Sequence, residues 1–187
     1  MSAPVRPLPA EFHVFDTTLR DGAQQEGLRL SVPDKLAIAA LLDELGVHFV
    51  EGGWPGANPN DTAFFAAMAD GELLLKHAQL VAFGFTRRVG LRAADDPLTA
   101  ALRDSHAPIA CLVAKSHDRH VKQALRTTLQ ENLDMITDTV SHLRSDDGSV
   151  EVGGGVAGET TSALRTGLLD VQYGRVEDTH GWLHRVG

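Results

Sequence analysis

Four short apolar segments begin near residues 12, 47, 79 and 109, separated by 35, 32 and 30 residues, and helical patterns fill the gaps. This rhythm constrains the chain more than any other feature. Strand–helix alternation at that spacing calls for right-handed βαβ crossovers and a parallel sheet. From the residues alone, an open doubly wound sheet and a (β/α)8 barrel both fit. The first βα turn, Arg20-Asp-Gly-Ala-Gln-Gln-Glu-Gly27, lacks the G-x-G-x-x-G of a dinucleotide site and tilts the balance weakly towards the barrel.

The expected elements start with a strand at 12–15. A helix from Pro33 to Leu45 is capped by Ser31 with Asp34, stopped by Gly46, and apolar at Ile38, Leu41, Leu42 and Leu45. Val47 to Val50 is a second strand, and Asp61 is placed as the cap of a helix through Phe64, Phe65 and Met68 towards Leu75. Gln79–Phe83 is a third strand, Asp96-Pro97 opens a short helix, and Ile109–Val113 is a fourth strand. One long helix is then expected from Arg119 to Arg144, with a stripe at Leu125, Leu129, Leu133, Ile136, Val140 and Leu143. Three prolines make residues 1–10 a flexible lead-in. Residues 148–187 hold nine of the eighteen glycines and no lysine, so they read as an atypical tail with at most a fifth strand at 149–152 and a helix at 161–169.

With 43% hydrophobic and 22% charged residues the chain has ordinary globular usage, and a net charge of −8 disfavours nucleic acid and anionic membrane as partners. The single Cys111 cannot form an internal disulfide, the first ten residues lack an apolar signal core, and no apolar run reaches spanning length. A soluble cytoplasmic protein is expected.

Chemistry concentrates where the strands end. Asp16-Thr-Thr-Leu-Arg-Asp-Gly22 lies at the carboxyl end of the first strand, the end that holds the active site in parallel α/β proteins. There Asp21 offers hard oxygen to a divalent cation, and Arg20 offers a permanent planar charge to a developing oxyanion. The second strand ends in Val50-Glu-Gly-Gly-Trp-Pro-Gly56, where Glu51 could hold Arg20 by a bidentate bond or move a proton. A surface ion pair for the first two residues and a backbone ligand for the third are the plain structural alternatives.

F-D-T-T-L-R-D-G-A-Q at 15–24 and V-E-G-G-W-P-G-A-N-P-N-D at 50–61 resemble the metal-dependent acyl-CoA condensing enzymes and lyases. That family holds the isopropylmalate, homocitrate and citramalate synthases and hydroxymethylglutaryl-CoA lyase. F-G-F-T-R-R-V-G at 83–90, D-D-P at 95–97 and A-L-R-T-T-L-Q-E-N-L at 124–133 resemble its long-form citramalate synthase branch, and the likeness runs over about 12–147. The resemblance implies the first four or five units of a (β/α)8 barrel, a divalent metal (Mg, Mn or Zn) and acetyl-CoA as co-substrate. It implies a Claisen-type condensation with a 2-keto acid, most simply pyruvate giving citramalate on a route to isoleucine, in a homodimer at full length. Arg20 would polarise the keto oxygen, Glu51 would orient Arg20, Asp21 would bind the metal, and Gln24 would line the pocket. His117 and His120, at the end of the fourth strand, are read as substrate-pocket or surface residues, with His120 placed as the substrate-binding candidate. Gln25 stands where the branch more often has glycine, and the His-x-His pair that completes the family's metal site is absent from the chain. The expectation is therefore a truncated version with little activity alone. The alternatives are a 2-ketoisovalerate-using synthase and a non-catalytic fragment.

Overall fold

The computed structural model describes residues 13–145 and 151–154. Among the described residues, five parallel strands run in the order β1 (Phe15–Asp16), β2 (Phe49–Gly53), β3 (Gln79–Phe85), β4 (Ile109–Val113) and β5 (Glu151–Gly154). Each strand lies beside its predecessor in sequence. A doubly wound sheet reverses its strand order at a switch point; this one never does, so the elements form one stretch of a (β/α)8 barrel wall. The fifth strand expected at 149–152 is present, two residues later, with Glu151 aligned to Ile109.

The sheet has two differently covered faces. Val50, Leu80, Ala82, Ala110 and Leu112 turn outward and are buried with Phe64, Phe65, Leu102 and Leu143 of the helices. Phe49, Val81, Ile109 and Cys111 turn the other way, with Phe15 packed against them, as the barrel interior. Continuous burial along Leu80–Gly84 of β3 and along β4 explains their unbroken apolar runs.

α1 spans Val32–Glu44 and starts with the expected capping box. The Ser31 hydroxyl accepts from the Asp34 amide, and Asp34 Oδ2 accepts from the Ser31 amide at 2.9 Å. It ends at Gly46 (φ +83°), where the amides of Gly46 and Val47 donate to the carbonyls of Asp43 and Leu42. Of the expected stripe, Ile38 and Leu42 pack against the core, but the fully buried positions lie elsewhere. Lys35, Ala39 and Asp43 are buried, whereas Leu41 and Leu45 are 64% and 78% exposed. Two polar side chains take inner positions because each finds buried partners: Lys35 the Gly52 carbonyl and the Asp61 carboxylate, Asp43 the amides that lead into β3. Lys35 is described with the site, and Asp43 accepts from the amides of Lys76, His77 and Ala78 at 2.7–2.9 Å.

α2 (Pro59–Ala69) is capped by Asn58 and not by Asp61, whose carboxylate is engaged elsewhere. α3 (Pro97–Asp104) is capped by Asp96 as expected. The single helix expected from 119 to 144 is broken. A turn α4 (Asp118–His120) runs into a π-helical turn at Val121–Leu125 and ends at Arg126, which has φ +53°. α5 then covers Leu129–Ser145, with the Thr128 hydroxyl accepting from the Glu131 amide. The break rotates the second half, so Asn132, Met135, Ile136, Thr139 and Leu143 are buried while Leu129 and Leu133 are exposed. The lead-in at 1–10, the helix expected at 161–169 and most of the Gly-rich tail lie outside the described residues.

Candidate functional site

The loop after β1 is built to project Arg20. Asp16 accepts from the amide and hydroxyl of Thr18, at 2.9 and 3.1 Å, and the Arg20 and Gly22 amides both donate to the Thr17 carbonyl. Leu19, fully buried, anchors the loop in the core. Arg20 is thereby turned towards the end of β2, where its Nε donates to Glu51 Oε2 at 2.6 Å. Its Nη1 donates to Asp21 Oδ1 at 2.9 Å, and its guanidinium carbon lies 4.1 Å from the centre of the Phe83 ring. The sequence-predicted trio of Arg20, Asp21 and Glu51 is thus one connected group at the carboxyl end of the wall.

Its members differ in environment. The Glu51 side chain is essentially sealed from solvent, Arg20 is 19% exposed and Asp21 is 63% exposed. Burial raises the Glu51 pKa; the Arg20 charge and hydrogen bond pull it back only in part. The contact between Glu51 and Arg20 is a single Nε bond and not the bidentate one that the residue types allow.

The E-G-G-W-P-G segment explains how Glu51 is held. A β-bulge falls between Glu51 and Gly53: Glu51 aligns with Val81 and Gly53 with Ala82. A side chain at Gly52 would meet Phe64 at 2.6 Å; one at Gly53, where φ is +143°, would run into the Asp61 carboxylate. That carboxylate sits in the bulge. It is ion-paired with Lys35 Nζ, which also donates to the Gly52 carbonyl at 2.7 Å, and it accepts from the Trp54 amide at 2.8 Å. Sequence reasoning missed this buried pair; a lysine on the inward face of an otherwise apolar helix is the signal that could have found it.

Other site features are aromatic. The Trp54 ring lies 5.6 Å from Phe83 and 4.9 Å from Phe85, and Lys115 Nζ lies 5.5 Å from the Phe85 ring centre. Phe83 escaped notice because it falls within a continuous apolar strand. Arg87 and Arg88 of F-G-F-T-R-R-V-G are structural. Arg87 reaches Glu131 at 2.8 Å and Asp138 at 2.6 Å on α5, and Arg88 is held by Asp96.

Gln24 and His120 are not drawn into the group. Gln24 is exposed, its amide donating to the Asp21 carbonyl at 3.0 Å. His120 is exposed on α4 with its ring 5.5 Å from that of His117, and His117 Nδ1 accepts from the Arg119 amide. No hydrogen bond, ion pair or ring contact links either side chain to Arg20 or Glu51.

The described residues do not fit a resident cation by themselves. Asp21 is one carboxylate, shared with a guanidinium. No group of three His, Cys, Asp or Glu side chains able to hold a metal occurs among the described residues. Nor is any described helix long and apolar enough to cross a membrane.

Comparison with known proteins agrees with this architecture. The chain is 67% identical over 138 residues to the (R)-citramalate synthase of Streptomyces coelicolor, covering 74% of this chain and 26% of the relative. It is 46% identical over 132 residues to the (R)-citramalate synthase of Aquifex aeolicus, covering 71% and 25%. The chain thus spans about a quarter of the length of these relatives. Among solved structures, the hydroxymethylglutaryl-CoA lyase of Pseudomonas aeruginosa superposes with a TM-score of 0.59 over 80% of this chain and 47% of its own, at 19% identity, a likeness of fold. The model of the family described as HMGL-like matches residues 11–170, beyond residue 147 where the sequence motifs give out. The chain belongs to the HMGL-like family.

Proposed function

We propose that Arg20 is the oxyanion-stabilising group of a Claisen-type condensation between acetyl-CoA and a 2-keto acid. The keto acid is taken to be pyruvate, giving citramalate for branched-chain amino-acid synthesis in the cytoplasm, with the whole protein a homodimer. The observation that carries the reading is the 2.6 Å bond from Arg20 Nε to a buried Glu51. A guanidinium has five N–H donors. Glu51 takes the Nε proton and Asp21 one on Nη1, which leaves three for a substrate.

The chemistry follows from charge. Acetyl-CoA gives up a methyl proton to a general base contributed from outside the described residues and becomes an enolate, whose carbon attacks the keto carbon. The C=O electron pair moves onto oxygen, and the resulting alkoxide is met by the N–H groups of Arg20. Protonation and thioester hydrolysis then release citramalate and CoA. Because Glu51 fixes the guanidinium beforehand, little reorganisation is needed as the alkoxide forms. One such donor is worth about 3–4 kcal/mol in the barrier. Asp21 would supply a divalent cation with one oxygen, the remaining ligands coming from residues other than those described. Gln24 and His120 remain proposed pocket residues.

Calorimetric titration of this chain with Mn and with pyruvate tests the reading. Heat with pyruvate in the wild type, lost in Arg20→Ala and weakened in Glu51→Gln, supports it. Silence with both ligands would instead support a non-catalytic segment, the reading favoured by the missing metal cluster among the described residues.

A further inference from the structure

Glu51 uses only one of its oxygens. Oε2 accepts from Arg20, while Oε1 is buried and has no hydrogen-bond partner. An orphaned carboxylate oxygen in a barrel interior is costly, so a nearby donor is to be expected. The neighbouring inner face is formed by Phe15, Phe49, Val81 and Ile109, which have no side-chain donor, and by Cys111. The register places the thiol close by: Glu51 aligns with Val81 on β3, and Phe83, next on that face, aligns with Cys111 on β4. We infer that the Cys111 S–H donates to Glu51 Oε1 after rotation about its Cα–Cβ bond, which makes Cys111 a positioning residue for Glu51 and, through it, for Arg20.

Electrostatics supports this assignment. Burial, and then the Glu51 charge, push the Cys111 thiol up to about 12, so its proton stays on sulfur at neutral pH and is available to donate. Besides Arg20, the nearby charge acting on Glu51 is that of Asp21. A sulfur donor is weak, and that suits the place: it satisfies Oε1 without competing for the charge that Glu51 shares with Arg20. The other buried donor without a partner in this region is Trp54 Nε1, whose ring packs on Phe83 and Phe85.

The inference rests on Arg20 and Glu51 forming the oxyanion site, but its test needs no substrate, so the two can fail separately. Cys111 is the only cysteine of the chain, so the infrared S–H stretch has a single source. The expected band lies at lower frequency and is broader than that of the urea-unfolded chain, and it moves to higher frequency in Glu51→Gln. Proton exchange at Arg20 Nε, followed by NMR, should quicken in Cys111→Ala and return towards wild type in Cys111→Ser. A native S–H band at the position of a non-hydrogen-bonded thiol would overturn the inference, and this holds even if the variants do not fold. A band unmoved by Glu51→Gln, or Arg20 exchange unchanged in Cys111→Ala, would overturn it as well.

Discussion

Replacing Asp61 with alanine should do more damage than any surface charge change, and the structure says how much. Asp61 is buried and holds the ammonium of Lys35, itself 2% exposed, and the amide of Trp54. Removing it strands a buried cation, whose remaining partner is the Gly52 carbonyl, together with a backbone N–H. Breaking a buried pair from one side costs about 3–5 kcal/mol. For a chain of 187 residues this corresponds to a fall in Tm of about 6–20 °C, at about 2–4 °C per kcal/mol. Thermal unfolding followed by circular dichroism, with denaturant titration to obtain the free energy, measures the loss. The double variant Lys35→Met/Asp61→Leu removes both charges and should recover most of it, so the two single losses should not add. Glu51 is the residue at which the bulge begins, so Asp61→Ala should also weaken pyruvate binding. A loss under about 1 kcal/mol, or a double variant as unstable as the sum of the singles, would refute the role given to the pair.

Gly53→Ala forces a side chain into the Asp61 carboxylate at a backbone angle that L-residues avoid; a loss of about 2 kcal/mol or more is expected from denaturant unfolding. Leu41→Gln on α1 and Leu45→Gln at its carboxyl-terminal cap, both exposed, should change stability by less than about 0.5 kcal/mol, whereas burial of either leucine would make the cost several-fold larger. Glu51 has its pKa raised on folding, so its ionisation opposes the fold: stability of the wild type relative to Glu51→Gln should fall as pH rises through that pKa and level off above it, as Tm against pH will report. Asp43 behaves in the opposite sense. Burial opposes its charge, but the amides of Ala78, Lys76 and His77 outweigh it and lower the pKa. The deficit of Asp43→Asn should therefore be full near neutral pH and disappear as pH falls through the folded pKa.

Where the sequence spoke clearly, local rules were sufficient. Ser31 with Asp34, Gly46 and Asp96-Pro97 are short-range signals, and each marks a helix end in the structure. Spacing yielded the parallel strands, and sequential pairing decides for a barrel wall, which spacing could not. Helix faces are legible only in part: Ile38 and Leu42, and Ile136, Val140 and Leu143, pack inward as their spacing predicts, whereas Leu41, Leu45, Leu129 and Leu133 are exposed. In α1 two of the three buried positions go to Lys35 and Asp43, whose partners lie 26 and 35 residues away at most. In α5 Asn132 and Thr139 share the buried face with Met135, Ile136 and Leu143, and they bind the Lys115 carbonyl and the Arg87 amide. No window of helical periodicity contains such partners. The break at Arg126 was equally hidden, since a non-glycine residue at positive φ carries no local signature. Arg20, Asp21 and Glu51 were legible because strand ends gather chemistry in this architecture, whereas Phe83 and Cys111 look like core until the register shows which face they occupy.

The most direct test of the central claim is NMR of the Arg20 side chain in ¹⁵N-labelled protein during titration with pyruvate. A guanidinium bound through Nε to a buried carboxylate predicts a downfield, exchange-protected Nε–H signal that shifts with pyruvate and collapses in Glu51→Gln. A rapidly exchanging signal at the free-arginine position, unmoved by pyruvate, would contradict the account.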